Sequence, residues 1–188
     1  DRDLRRAHDA SADVAVTARL ARQLAHYDAD FFSSCLKRID KHFVTDQIRA
    51  DGRGEGLLEV TPYAGWEQGF TRDLWIPFRL SERSNDYVAF DLRNEPETVM
   101  NGLIALVESM ERSAVDLKRQ AGELGLYTVR INSQPMLFRR AALEPEVKAR
   151  LQAFGRDETI QNRHLDVWHH IQDSPAFKQL YQLALAVL

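Results

Sequence analysis

The clearest hydrophobic pattern in the chain runs from Asn94 to Gly125, where apolar residues recur at steps of three and four. This spacing places them along one stripe of a helix, and most charged residues of the segment lie off that stripe. Asn94 stands where an N-cap residue is favoured, and Glu97 lies in the first turn, where the helix dipole favours an acid. Gly125 suits the residue that follows a helix, because positive φ is needed there. The pattern therefore predicts one long helix over residues 94–125.

Shorter segments on both sides of this helix alternate between apolar and polar residues, which is typical of half-buried strands. The polar stretch between the second and third segments predicts a hairpin. Pro77 cannot donate a ladder hydrogen bond, so its strand is expected at an edge or at a bulge. Strands, a helix and further strands predict an α+β fold, in which an antiparallel sheet of about four strands carries the long helix on one face. The strand candidates are residues 57–61, 74–80, 88–92 and 127–131, and residues 136–139 are a further candidate.

Helical periodicity also fills both ends of the chain. Residues 2–50 fit one bent helix or two consecutive helices, and the sequence leaves both open. The glycines within 51–56 mark a turn or a linker. Residues 143–188 contain three short helical segments. We therefore expect an N-terminal helical segment (1–50), a region of sheet and long helix (57–140) and a C-terminal helical segment (143–188), packed as one compact domain.

Composition limits the classes of function. The chain has 188 residues, 44% of them hydrophobic, which is enough for one core. Its formal net charge of −3 gives no overall reason to expect nucleic acid, although a local basic patch is compatible with it. The single cysteine, Cys35, excludes an internal disulfide framework and fits a reducing compartment, so we expect a cytoplasmic protein. No apolar run approaches the roughly 20 residues that span a bilayer, and no membrane partner is expected. The glycine spacing in 51–56 is not that of a nucleotide-binding loop, and no cofactor is expected.

The stretch from Arg163 to His170 has the residue types of a catalytic motif. Arg163, the polar His164 beside it and His169 after a short interval resemble the motif of the HEPN ribonucleases. The resemblance covers seven residues and implies an all-helical fold in which a dimer brings two motifs together. It implies that Arg163 stabilises charge on the scissile phosphate and that His169 transfers protons near neutral pH. The alternative is a polar helix face on which Asp166 pairs with His169 or His170. No HExxH motif or cysteine pair supports a metal site, so none is predicted.

Several arginines are expected on the sheet face turned away from the long helix. Arg79, Arg93 and Arg130 lie in or beside predicted strands together with acidic residues, and mixed charges favour cross-strand ion pairs on a face in water. A ligand or partner surface is the alternative for this face. Trp66 and Phe70 lie in the loop after the first strand, where functional residues gather, and they are candidates for stacking or partner contact. Aromatic residues at such a place also commonly cover one end of a sheet.

These features favour a non-catalytic protein-interaction or regulatory module of an intracellular, bacterial assembly. The long amphipathic helix and the apolar C-terminal helix favour pairing with a protein partner or with a second copy. One alternative is a HEPN-like ribonuclease that uses Arg163 and His169. The other is a nucleic-acid-binding domain that uses the arginine-rich sheet face.

Overall fold

The structure is a computed structural model, and it describes residues 10–51, 56–60, 71–82, 84–109, 113–140 and 158–188. These ranges contain seven α-helices and five β-strands, which confirms the predicted α+β fold. The helical segment predicted directly after residue 143 lies outside the described residues. In chain order the elements are α1 (Ala10–Tyr27), α2 (Ala29–Lys37), α3 (Lys41–Asp51), β1 (Leu57–Val60), β2 (Thr71–Arg79), β3 (Asp86–Asp91), α4 (Pro96–Glu108), α5 (Ala114–Glu123), β4 (Leu126–Arg130), β5 (Met136–Arg139), α6 (Glu158–Gln172) and α7 (Ala176–Val187).

One antiparallel sheet holds all five described strands, in the order β4-β3-β2-β1-β5. β2 is the central strand. Its first half pairs with β1 and its second half with β3, so that Leu74 lies opposite both Leu57 and Asp91. The outer side of β1 pairs with β5, which makes five strands instead of about four. The expected count was too low because the sequence indicates residues 136–139, which form β5, only as a further candidate beyond the four predicted strands.

An irregularity in β2 reverses its side-chain pattern. The register with β3 shifts between Trp75 and Phe78, where Pro77 lies. The predicted bulge at Pro77 is confirmed, although in the central strand rather than at an edge, because a bulge removes the need for a ladder N–H. Leu74 and Ile76 pack in one core, whereas Phe78 packs against the other. The alternating pattern in the sequence had grouped these three residues on one side.

The sheet is strongly curved, because its two edge strands run in the same direction and are joined directly by residues 131–135. In a flat sheet, four steps of about 4.8 Å would separate these edges by about 19 Å. Because β4 and β5 run in the same direction, the connection would also have to run back along the length of a strand. Three of its five residues form a compact 3-10 turn, Ile131–Ser133, so it is too short to cross a flat sheet. The curvature gives the sheet a concave side and a convex side.

The concave side holds a core of its own. Val44 and Ile48 of α3 are buried against it, so much of this side is covered by a helix and does not face water. The expectation that one sheet face stays in water is therefore wrong for this part of the sheet, because α3 supplies a second apolar layer. The sheet residues of the concave core, with Ile131 of the 3-10 turn, are Leu57, Leu74, Ile76, Tyr87, Ala89, Val129, Ile131 and Leu137.

Helices α4, α6 and α7 cover the convex side. Trp168 of α6 stacks on Trp75 of β2 with 5.1 Å between the ring centroids, and Phe90 of β3 lies 4.7 Å from Trp168 by the same measure. These three rings lie at the centre of the convex core, where aromatic side chains contribute large buried areas. The helix residues buried around them are Val99, Leu103, Leu106, Ala121, Leu165, Leu180, Ala184 and Val187.

The predicted single helix over 94–125 is wrong, because two helices, α4 and α5, occupy this part of the chain. α4 ends before Ser109. α5 begins after Ser113, whose hydroxyl accepts a hydrogen bond from the Asp116 backbone N–H at 3.2 Å. A serine cap stabilises a new helix start by accepting from a backbone N–H that has no partner inside the helix. The apolar stripe continues across the break and therefore gave no sign of it.

Other helix boundaries differ from the pattern by small amounts. Gly125 follows α5 with φ of +85°, as predicted. The N-cap of α4 is Glu95, one residue after the predicted Asn94. The N-terminal segment contains three described helices rather than one or two, and α3 begins after Asp40, whose Oδ1 accepts from the His42 backbone N–H at 2.8 Å.

Candidate nucleic-acid interface

The predicted arginines of the sheet do not share one side. Arg79 pairs in register with Tyr87 on the concave side, where its Nε donates to Tyr87 Oη at 2.6 Å. Arg130 pairs in register with Asp86. Because Asp86 and Tyr87 are consecutive strand residues, their side chains point to opposite sides, and Arg130 lies on the convex side at the edge strand. The expectation of one arginine-rich face is therefore wrong for Arg130, whereas Arg79 lies on the concave side, turned away from α4 as expected.

Arg130 is an exposed cation with a close partner. Its Nε lies 2.8 Å from Asp86 Oδ1, and its Nη2 donates to Oδ2 at 3.1 Å, so the pair is bidentate. This hydrogen bond lowers the pKa of Asp86, and the charge of Lys118 lowers it further. Two cations therefore share one acid at this edge of the sheet.

Arg93 follows the end of β3 and forms a salt bridge with the buried carboxylate of Asp91. Its Nε donates to Oδ1 at 3.0 Å, and its backbone N–H donates to the same oxygen at 3.0 Å. The Asp91 side chain is 0% exposed and that of Arg93 is 37% exposed, so the guanidinium reaches the surface from a buried anchor. The hydrogen bond to Asp91 raises the pKa of Arg93. The arrangement holds a permanent positive charge in one orientation.

Arg72, Glu59 and Tyr127 lie beside this pair on the concave side, and the sequence did not single out Arg72 or Tyr127. Arg72 and Glu59 are opposite each other in register, with Nη2 and Oε2 at 2.8 Å. The guanidinium carbon of Arg72 lies 4.3 Å from the centre of the Tyr127 ring. Arg72 was missed because the predicted strand began at residue 74. Extending its period of two back to the true start of β2 would have placed Arg72 on the same side as Leu74, the concave side.

We call Glu59, Arg72, Asp91, Arg93 and Tyr127 the Arg72–Tyr127 cluster. Burial raises the pKa of Glu59, Arg72 lowers it, and the charge of Asp91 raises it again. The cluster thus combines two guanidinium groups, two acids and a half-buried ring. Arg72 Nε is buried without a hydrogen-bond partner among the described residues. A buried N–H without an acceptor is costly to the folded state.

The predicted catalytic pair lies on α6. Arg163 is exposed, and His169 is partly buried. His164, which takes the polar place in the motif, is buried, and its Nδ1 lies 2.9 Å from the Leu92 carbonyl oxygen. The all-helical fold that the resemblance implied is not the fold of this chain, because the centre of the described region is a sheet. The catalytic roles of Arg163 and His169 stay predictions.

Trp66 and Phe70 lie outside the described residues. Within the described residues, no three histidine, cysteine, aspartate or glutamate side chains come together in a way that could hold a metal ion. No helix of the described part of the chain has the length and apolar character needed to cross a membrane.

Comparison with solved structures identifies proteins with the same fold. No protein-family model and no curated protein sequence matches the chain. E. coli exonuclease I in complex with a 5cy-dT13 oligonucleotide is similar, with a TM-score of 0.69, 22% identity, and coverage of 96% of this chain and 37% of that chain. Exonuclease I from Methylocaldum szegediense gives a TM-score of 0.73 and 23% identity, over 95% of this chain and 37% of the other. An ExoI/SSB-Ct complex gives a TM-score of 0.68 and 20% identity, over 95% of this chain and 36% of that chain.

These identities are low, and the likeness shows the fold. The chain spans about 37% of the length of the first two of these proteins. The prediction of a non-catalytic protein-interaction or regulatory module is wrong, because the structures that share the fold are exonucleases. The likeness agrees better with the alternatives that involve nucleic acid.

Proposed function

We propose that the chain is the nucleic-acid-binding part of an exonuclease-I-like protein and that it contacts single-stranded DNA. The observation that carries the proposal is the fold shared with exonuclease I over 96% of this chain, in a structure that contains a dT13 oligonucleotide. The chain spans 37% of that protein, so the proposal concerns binding and includes no cleavage step.

The Arg72–Tyr127 cluster is the surface that supports binding best. Single-stranded DNA is held by cations that contact phosphates and by flat groups on which bases stack. Arg93 offers an exposed guanidinium held by Asp91, which suits a phosphate. Arg72 lies over one side of the Tyr127 ring, and the outer plane of its guanidinium is a platform for a base.

A cytoplasmic location belongs to the same proposal, since Cys35 is a free, partly buried thiol and such thiols persist in reducing compartments. A protein partner also belongs to it, because one structure with this fold is an ExoI/SSB-Ct complex. The two partner classes are separable, since a DNA oligonucleotide and a protein can be titrated independently.

The test compares Arg93 and Arg130, each of which forms a salt bridge with an aspartate. Arg93→Gln removes one of the two positive charges of the cluster, and Arg130→Gln removes the charge of another aspartate-paired arginine, on the convex side. Glutamine keeps a hydrogen-bond donor near each aspartate, so both folds should survive. Binding of a labelled dT13 is measured by fluorescence anisotropy from about 50 to 200 mM salt, where each phosphate contact contributes a slope of about −0.7 in log K against log salt.

We expect Arg93→Gln to reduce the magnitude of that slope by about 0.7, the contribution of one phosphate contact. Arg130→Gln should bind like the wild type. Failure of the unmodified chain to bind dT13 at low salt would overturn the proposed function. Equal losses in both variants would overturn the Arg72–Tyr127 cluster as the site.

A further inference from the structure

Arg38, between α2 and α3, is a buried cation with unused donors. It is 7% exposed, its Nε donates to the Leu137 carbonyl oxygen at 2.7 Å, and its Nη1 donates to the Ser34 carbonyl oxygen and to Ser34 Oγ, each at 2.5 Å. A guanidinium carries five N–H donors, two of them on Nη2. Among the described residues, Nη2 has no acceptor.

The charge of Arg38 also lacks an acidic partner within the described part of the chain. Burial lowers the pKa of its guanidinium, and the one group that opposes this effect is the Cys35 thiol. Burial in turn raises the pKa of Cys35, so the thiol is neutral near pH 7. A buried positive charge without a counter-charge is costly, and an anion that reached it would offset that cost.

Part of the role of Arg38 is structural. β5 is an edge strand, and the bond from Nε to the Leu137 carbonyl oxygen satisfies an acceptor on its outer side. Such a cover protects an edge strand from pairing with another chain. This structural role uses only the Nε–H and would not need a charged side chain. It therefore gives no role to the two N–H groups of Nη2.

The surroundings of Arg38 favour an anion that carries flat groups. The guanidinium carbon lies 3.9 Å from the centre of the Phe138 ring and 5.6 Å from that of Phe43, and both residues are partly exposed. Lys37 and Lys41 are exposed nearby in the chain. Cations interleaved with aromatic rings are the arrangement that tracks a single-stranded nucleic acid.

We propose that Arg38 forms a phosphate-binding site through Nη2 and that its ligand is a backbone phosphate of single-stranded DNA, with Phe43 and Phe138 against the adjoining nucleotide. The identity of the ligand rests on the proposed function. The site itself rests on the geometry of Arg38 alone. It lies beside β5, at the opposite edge of the sheet from Tyr127 on β4, and would therefore give the DNA a second point of attachment.

The test observes the arginine side chains of the unmodified chain by nitrogen-15 NMR. Inorganic phosphate and dT13 are titrated in separate samples, and the Nε–H resonance of Arg38 is followed. We expect dT13 to shift this resonance at a lower concentration than phosphate does. A shift with phosphate and none with dT13 would overturn DNA as the ligand, and no shift with either would overturn the site.

Variants complete the test. Arg38→Gln should weaken dT13 binding about tenfold or more, the usual loss for a hydrogen bond to a charged group. Arg38→Lys, which keeps the positive charge but not the planar set of guanidinium donors, should bind dT13 more tightly than Arg38→Gln and less tightly than the wild type. Arg49→Gln, an exposed arginine on the neighbouring helix α3, is the matched control and should bind like the wild type. Backbone amide spectra of each variant establish that it is folded.

The outcomes separate this inference from the proposed function. If dT13 binds and depends on Arg93, while its addition leaves the Arg38 resonance and Arg38→Gln binding unchanged, the inference fails and the proposed function stands. If dT13 does not bind but phosphate shifts Arg38, the proposed function and DNA as the ligand fail, and a phosphate site remains.

Discussion

Arg72 of β2 reaches across β3, so that its guanidinium carbon lies 4.3 Å from the centre of the Tyr127 ring on β4. The contact is between strands that are not neighbours in the sheet. It forms because the sheet curves and brings its concave side chains together. The attraction between a cation and the face of a tyrosine is worth about 0.5–1 kcal/mol at exposed sites and more when water is excluded. It therefore holds the plane of the guanidinium in one orientation.

Removal of the Tyr127 ring should weaken single-stranded DNA binding. The ring holds the Arg72 guanidinium on which the base stacks, and this contact is worth about 0.5–1 kcal/mol, so Tyr127→Ala should reduce affinity for dT13 by about 2- to 5-fold. Tyr127→Phe keeps the ring and should bind like the wild type. Anisotropy titrations at one salt concentration measure both effects. Wild-type affinity in Tyr127→Ala would exclude the ring from the site.

The stability of the chain should depend on Glu59 in a defined direction. Burial raises the pKa of Glu59 above its ordinary value, so the folded state holds this proton more tightly than the unfolded chain does. The contribution of Glu59 to the free energy of unfolding therefore falls as the pH rises from the ordinary pKa of a glutamate through the raised pKa of Glu59. Glu59→Gln should remove this decline, and urea unfolding between about pH 4 and 8 measures it.

Glu108→Gln, at an exposed position of α4, is the control for that series. A parallel pH dependence in the wild type and Glu59→Gln would contradict the assignment to Glu59.

Two glycines at the end of α5 should respond to alanine in opposite directions. Gly125 has φ of +85°, and an added Cβ would collide with the side-chain amide of Asn94. Gly125→Ala should therefore lower the free energy of unfolding by at least about 1–2 kcal/mol. Gly122 lies inside the helix, where an added Cβ would meet only Tyr127 at 3.7 Å, and Gly122→Ala should stabilise by about 0.5–1 kcal/mol. Thermal or urea unfolding measures both, and a stable Gly125→Ala would contradict the prediction.

The sequence predicted the elements better than their arrangement. The alternation around Val88 and Phe90 identified β3, and Gly125 marked the end of a helix. Local patterns determine such features within a few residues. The shift at Pro77 reversed the sides of the residues that follow it, because a single extra residue inverts a period of two. Nothing in the alternation itself indicates where such a residue is inserted.

The candidate site was only partly accessible from sequence. Arg93 was assigned to the sheet from its position beside a predicted strand, whereas the contact between Arg72 and Tyr127 depends on curvature across three strands. Arg38 gave no signal, because its burial depends on α2, α3 and β5 meeting at one corner. The function was misjudged for a related reason, since a helix stripe that was predicted to pair with a partner packs inside the chain.

The order β4-β3-β2-β1-β5 has a consequence for the time course of synthesis. β1 leaves the ribosome before β2 and β3, but its outer partner β5 follows only after α4, α5 and β4. During that interval the outer side of β1 is an unpaired edge that can join another chain. Arg38, already synthesised, then covers the new edge that β5 creates. A nascent chain halted before β5 should therefore be more prone to aggregate than the completed one.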